Sequence, residues 1–149
     1  MKTIMFKNGK GGDGKSTSSI TIAAMIAAEG KRVILIDTDE RHHSTNFFMK
    51  TMNVPVTGTI GYWMCNQCDA PITHTSYKNL DLIACGDDIA DDMRSLEKDI
   101  FSNPQECLKR KLKEISDQYD YCIIDCTQNA DCMALNTFIA ADIVVIPAK

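Results

Sequence analysis

Several absences narrow the class of this chain. None of its apolar runs approaches the roughly 18–20 residues needed to cross a bilayer, so no membrane-spanning segment is expected. It has no basic excess: 16 Lys and Arg stand against 20 Asp and Glu, a net charge of −4. That balance excludes coating of nucleic acid by bulk electrostatics and leaves room only for a local basic patch. No signal segment precedes the first apolar run, and a cytoplasmic location is expected. The four-ligand set of a structural zinc site is also missing. Cys65-Asn66-Gln67-Cys68 has knuckle spacing, but it is one pair, with only Asp69 and His74 nearby. The adjacent His42 and His43 would point in different directions, which argues against a metal role for both.

Cysteine itself is not scarce. There are seven, an odd number, and two of them flank a predicted core strand. Reduced thiols fit this better than a disulfide framework. With 149 residues, 44% hydrophobic and 24% charged, the chain reads as one globular domain.

The organising stretch is Lys7-Asn8-Gly9-Lys10-Gly11-Gly12-Asp13-Gly14-Lys15-Ser16-Thr17. It has the G-x-x-x-x-G-K-S spacing of a phosphate-binding loop. The context also fits: Lys2 to Phe6 reads as a strand and Lys15 to Glu29 as a helix, with Gly30 placed to end it. Glycines let consecutive N–H groups turn inward around phosphate, and the helix N-terminus adds unsatisfied donors and partial positive charge. Lys15 can then reach the β- and γ-phosphates, and the Ser16 hydroxyl can ligate Mg²⁺. The loop as a whole, Gly9 to Thr17, is the candidate nucleotide-binding segment.

Val33-Ile34-Leu35-Ile36 is an unbroken apolar run suited to a strand covered on both faces, and it ends in Asp37-Thr38-Asp39. Carboxylates at that end of a strand lie where open α/β sheets bind ligands, against the alternative of a solvated turn. Short helices are expected near Phe47–Met52 and Thr59–Met64, and a strand at Leu80 to Gly86. A polar helix from Asp87 to Phe101 is expected to turn Asp91, Asp92, Glu97 and Asp99 to solvent. Asn103-Pro104-Gln105-Glu106 predicts a helix start with Asn103 as cap. The Lys109-Arg110-Lys111 run that follows fits the exposed face of an amphipathic helix, with DNA phosphates as the alternative partner. Tyr121 to Asp125 is another apolar strand ending in Asp, the second acidic element of a phosphate-loop ATPase, which would hold Mg²⁺ through water. A helix from Met133 to Ala141 and a strand from Asp142 to Pro147 complete the pattern.

A second lysine within Lys10-Gly11-Gly12-Asp13-Gly14-Lys15-Ser16 resembles the deviant phosphate loop of the ParA/MinD ATPase superfamily. The Asp37-Thr38-Asp39 strand end, the Tyr119-to-Asp125 strand and the Leu135-Asn136 helix resemble the same superfamily. Glu40-Arg41-His42-His43 stands where its pattern has Pro-Gln-Gly-Asn and is closer to the conjugative and T-DNA-transfer branch. Cys126-Thr127-Gln128-Asn129 replaces a Cys/Thr-Pro-Pro pattern, and Asp13 fills a slot that is usually small or apolar.

The resemblance implies a three-layer α/β phosphate-loop NTPase fold over 1–149, with five mostly parallel strands, shortened at the C-terminus relative to the family domain. It implies ATP and Mg²⁺ as cofactors and a dimer in which Lys10 crosses to the partner's nucleotide. Asp39 would position the attacking water, Gln128 or Asn129 could assist, and Asp37 and Asp125 would belong to the metal shell. The implied function is an ATPase dimerisation switch in partition or transfer of a plasmid or mobile element, working with a ParB-like or transfer protein and with non-specific DNA as a possible partner. The alternative is a non-hydrolysing nucleotide-binding module. No Asn-Lys-x-Asp motif speaks for guanine, and nothing marks Cys126 or Cys132 as an interface pair of electron-transfer relatives. The final strand is expected to be an open edge whose apolar faces need cover.

Overall fold

The computed structural model describes residues 1–8, 12, 14–98 and 103–147. Gly9, Lys10, Gly11 and Asp13 of the glycine loop lie outside the described residues, as do Asp99, Phe101 and Lys149.

Six strands form one sheet in the order β3-β4-β2-β5-β1-β6. They are β1 (Lys2–Phe6), β2 (Val33–Asp37), β3 (Thr73–His74), β4 (Leu80–Ile83), β5 (Tyr121–Asp125) and β6 (Ile143–Val145). Five run parallel, and β3 alone is antiparallel, pairing with β4. The five-strand expectation therefore missed β3. Two residues are too few to show a period of two.

The β2 run Val33-Ile34-Leu35-Ile36 is wholly buried. Because side chains alternate across a strand, Ile34 and Ile36 enter one core and Val33 and Leu35 the other. The first core contains Trp63, Met93, Leu108 and Met133 from helices α3 (Ile60–Met64), α4 (Ile89–Lys98), α5 (Cys107–Glu114) and α6 (Cys132–Ala140). The second contains Ala23 and Ala27 of α1 (Lys15–Ala28), and Phe48 of the π-helical turn Phe47–Thr51 that follows α2 (His43–Asn46). Helices thus cover both faces, giving three layers.

α1 meets the sheet along Ser19, Ala23 and Ala27, an i, i+4 row of small side chains that lets helix and strands approach closely. Gly30 has φ +83°, and its N–H donates to Ala27 O, so the residue without a Cβ ends α1 in the left-handed region.

Two expectations on the opposite face are corrected. Asp92 is buried, because Ile89, Asp92, Met93 and Leu96 share the i, i+3, i+4, i+7 face of α4. Asn103 does not cap the following helix by its side chain: it adopts φ +49° and makes no cap bond. Asn136 of α6 serves the start of α5 instead. Its Oδ1 accepts from Leu108 N at 3.0 Å and its Nδ2 donates to Pro104 O at 2.8 Å.

Candidate functional site

The parallel register sets the site. β2 and β5 are aligned so that Asp37 faces Asp125, and β1 and β5 so that Phe6 faces Asp125. The C-terminal ends of three adjacent strands therefore open onto one edge of the sheet. The glycine loop leaves β1 there, Asp37-Thr38-Asp39 leaves β2, and Asp125 ends β5.

α1 begins at this edge. Gly14, at its N-terminal boundary, has φ +74°, and Gly12 has φ +84°, conformations that side-chain-bearing residues adopt at a cost. Beside them lies a cavity of about 340 Å³ lined by Gly12, Gly14, Lys15, Ser16, Thr17, Ile20, His43, Phe47 and Gln128. Lys15 is buried. Its Nζ donates to Asp125 Oδ1 at 2.9 Å and to Asp39 Oδ2 at 3.1 Å. Burial alone would depress the ammonium, but Asp125 and Asp39 outweigh it, and its pKa lies above the ordinary lysine value.

The carboxylates are held in turn by residues that sequence reasoning did not single out. Ser44 Oγ donates to Asp125 Oδ2 at 2.7 Å. Thr45 donates twice to Asp37 Oδ2, from its N–H and its hydroxyl, both at 2.8 Å, and Asp39 N donates to Asp37 Oδ1. Thr45 Oγ1 also accepts from Cys85 N, which ties α2 to the end of β4. The signal for these two residues was a hydroxyl pair a few positions beyond the Asp pair, too common a pattern to stand out. Burial and then the Asp125 charge push the Asp37 carboxyl up to about 7, with the donors from Thr45 and Asp39 opposing.

Of the sequence-predicted residues, the structure thus brings Lys15, Asp39 and Asp125 into direct contact. Ser16 and Thr17 stand at the cavity wall, and Asp37 sits behind, fully buried and engaged by Thr45. Gln128 reaches the cavity, while the side chain of Asn129 turns to Glu40. Lys10, Gly9, Gly11 and Asp13 belong to the part of the loop outside the described residues. His42 has φ +53° and lies 3.4 Å from Asp87 through Nδ1, whereas His43 lines the cavity. Cys65 donates to Asp92 O, and Cys68 is exposed. No described helix is long and apolar enough to cross a membrane.

The donor set suits a hard divalent cation beside phosphate. Carboxylates and a hydroxyl are the oxygen ligands Mg²⁺ takes, and the position is already built to satisfy positive charge, since Lys15 sits between two buried carboxylates.

Residues 1–149 match the AAA domain family. The chain is 33% identical over 150 residues to the sporulation initiation inhibitor protein Soj of Bacillus subtilis, covering 99% of this chain and 58% of that protein. It is 32% identical over 154 residues to the chromosome partitioning protein ParA of Myxococcus xanthus, covering 99% and 52%. Among solved structures, a plasmid partition protein of Borrelia burgdorferi bound to AMPPNP superposes with a TM-score of 0.82 at 28% identity, over 98% of this chain and 60% of that one. Cobyrinic acid a,c-diamide synthase of Mycobacterium smegmatis, solved with an ATP analog and magnesium, shares the fold, with a TM-score of 0.89 at 23% identity over 99% and 60%. The chain spans little more than half the length of these curated relatives. It belongs to the AAA domain family, within the ParA/MinD-type P-loop ATPases.

Proposed function

We propose that this chain binds Mg-ATP in the cavity beside Gly12 and Gly14 and acts as the nucleotide half of a ParA-type ATPase switch. The observation that supports it best is the contact of Lys15, which lines that cavity, with the buried Asp39 and Asp125, from segments up to 110 positions apart. Lys15 would hold phosphate oxygens once released from its two carboxylates. Ser16 would ligate Mg²⁺ directly and Asp125 through water, with Asp37 behind them. Magnesium, when bound, supplies the charge that neutralises the phosphates. Asp39 would accept a hydrogen bond from the attacking water and orient it, and Gln128 borders the same space. Lys10 would reach the nucleotide of a second copy, so that ATP closes a cytoplasmic dimer and hydrolysis opens it. The setting would be partition or transfer of a plasmid or mobile element, with a ParB-like or transfer protein and DNA as partners, which accords with the names of the relatives.

A second reading, a nucleotide-gated module without turnover, draws on one observation. Lys15 engages Asp39, the carboxylate assigned to water.

Calorimetric titration of Mg-ATP into the wild-type chain and into Lys15→Ala tests the binding step. Saturable binding that weakens at least about tenfold in the variant is expected, since an ammonium–phosphate contact is charge-assisted. Equal affinity in the two proteins would sink the assignment.

A further inference from the structure

Apart from the Lys15 contacts, the two loops at the C-terminal edge of the sheet are tied to each other directly. Asn129 Nδ2 donates to Glu40 Oε1 at 3.1 Å, across 89 positions of sequence. Glu40 follows Asp39 in the chain, and Asn129 follows Gln128. Each partner of the bond is therefore the immediate neighbour of a residue assigned to the phosphate site.

At their bases the two loops also meet at Asp125, whose carbonyl accepts from Thr38 N and Thr38 Oγ1 and whose Oδ2 accepts from Ser44 Oγ; Glu40 and Asn129 join them farther out. On the β2 side, His42 N donates to Asp39 O, and Arg41 N donates to Asp39 Oδ1 at 3.1 Å. On the β5 side, Lys7 Nζ donates to Thr127 O at 2.6 Å and to Asn129 O at 2.8 Å, and Asn129 N donates to Thr127 Oγ1. One ammonium thus grips the carbonyls on either side of Gln128, leaving Gln128 at the apex of the turn against the cavity. Thr38 and Glu40 from one loop and Thr127 and Asp131 from the other line a common cleft of about 210 Å³. The Glu40–Asn129 bond is exposed to solvent, where water competes for both partners.

We propose that Glu40 and Asn129 are positioning residues whose hydrogen bond ties the loop bearing Asp39 to the loop bearing Gln128, so that the two loops move as one unit at the phosphate cavity. The consequence for turnover rests on the proposed ATPase function. The coupling itself does not.

Hydrogen exchange on the ligand-free protein tests the coupling. Glu40→Ala is expected to speed exchange in residues 127–130, and Asn129→Ala in residues 40–43, each about fivefold, the net worth of one hydrogen bond. Asn129→Asp sets two carboxylates face to face and speeds both loops. Adding Glu40→Gln reverses donor and acceptor and returns both to within about twofold of wild type. Changes confined to the mutated loop, with no recovery in the swapped pair, would overturn the proposal. In the turnover arm, Asn129→Asp lowers kcat about fivefold with Mg-ATP affinity unchanged, and the swap restores it. A wild-type chain without turnover would count against the hydrolysis reading, while the exchange result would still decide the coupling.

Discussion

Lys15 Nζ lies 2.9 Å from Asp125 Oδ1, with both side chains buried, and the same ammonium lies 3.1 Å from Asp39 Oδ2. The phosphate-loop lysine is therefore the counter-ion of the carboxylates assigned to the metal and to water. Removing one partner of a buried ion pair leaves the others uncompensated. Lys15→Ala should lower the ligand-free stability by about 3 kcal/mol in urea denaturation, and Lys15→Ala/Asp125→Asn should recover part of that loss. Trp63, the sole tryptophan and fully buried, provides the fluorescence signal. A loss under about 1 kcal/mol would mean that water solvates the cluster.

Asp37 gives the chain a specific pH dependence. Burial and the neighbouring Asp125 charge raise its carboxyl from 3.8 in an exposed chain to about 7. Between these values the native state binds the proton more tightly than the unfolded state, so stability falls as pH rises from about 4 to about 7 and levels off above. The loss is up to about 4 kcal/mol. Asp120, which Arg32 holds down at about 2, acts only below that window. Urea midpoints at pH 5, 6, 7 and 8 should decline in the wild type and flatten in Asp37→Asn. A midpoint that climbs over this range contradicts the assignment.

Gly61 in α3 packs against the buried side of α4. A Cβ at this position would overlap the Asp92 carboxylate, with Asp92 Cγ only 2.8 Å away. Gly61→Ala should destabilise the fold by about 1–3 kcal/mol, the range for overpacking a filled interior. Gly61→Ala/Asp92→Ala should regain most of it. Equal melting temperatures for wild type and Gly61→Ala would show that the α3–α4 contact yields freely.

The edge strand β6 leaves Ile143 and Val144 exposed, and Ile146 just beyond it is 68% exposed. An apolar sheet edge invites pairing with another chain. Val144→Lys should cut concentration-dependent association in sedimentation velocity while changing stability by less than about 0.5 kcal/mol, as exposed positions do. Unchanged association would place the sticky surface elsewhere.

Much of this arrangement was legible in the residues. Val33 to Ile36 and Tyr121 to Asp125 announced buried strands through unbroken apolar runs, and the glycine loop named its own position between strand and helix. What escaped notice depended on distant packing. Asn136 caps a helix from which it is separated by 28 positions, work that the local pattern assigned to Asn103. The charge of Asp92 points to solvent, although its helical spacing sets it beside Met93 and Leu96 on the inner face. Ser44, Thr45 and the Glu40–Asn129 bond have meaning only once β2 and β5 lie side by side. No local period encodes that adjacency.

Mg-ATP turnover by the purified chain shows most directly whether Lys15, Asp39 and Asp125 form a working ATPase site. Wild type, Asp39→Ala and Lys10→Ala would be compared, with the size of each ATP-bound form measured alongside. The expected results are turnover by the wild type, its loss by at least about a hundredfold in Asp39→Ala, and loss of an ATP-dependent dimer in Lys10→Ala. Turnover in Asp39→Ala equal to that of the wild type would remove Asp39 from the reaction and overturn the assignment of this site.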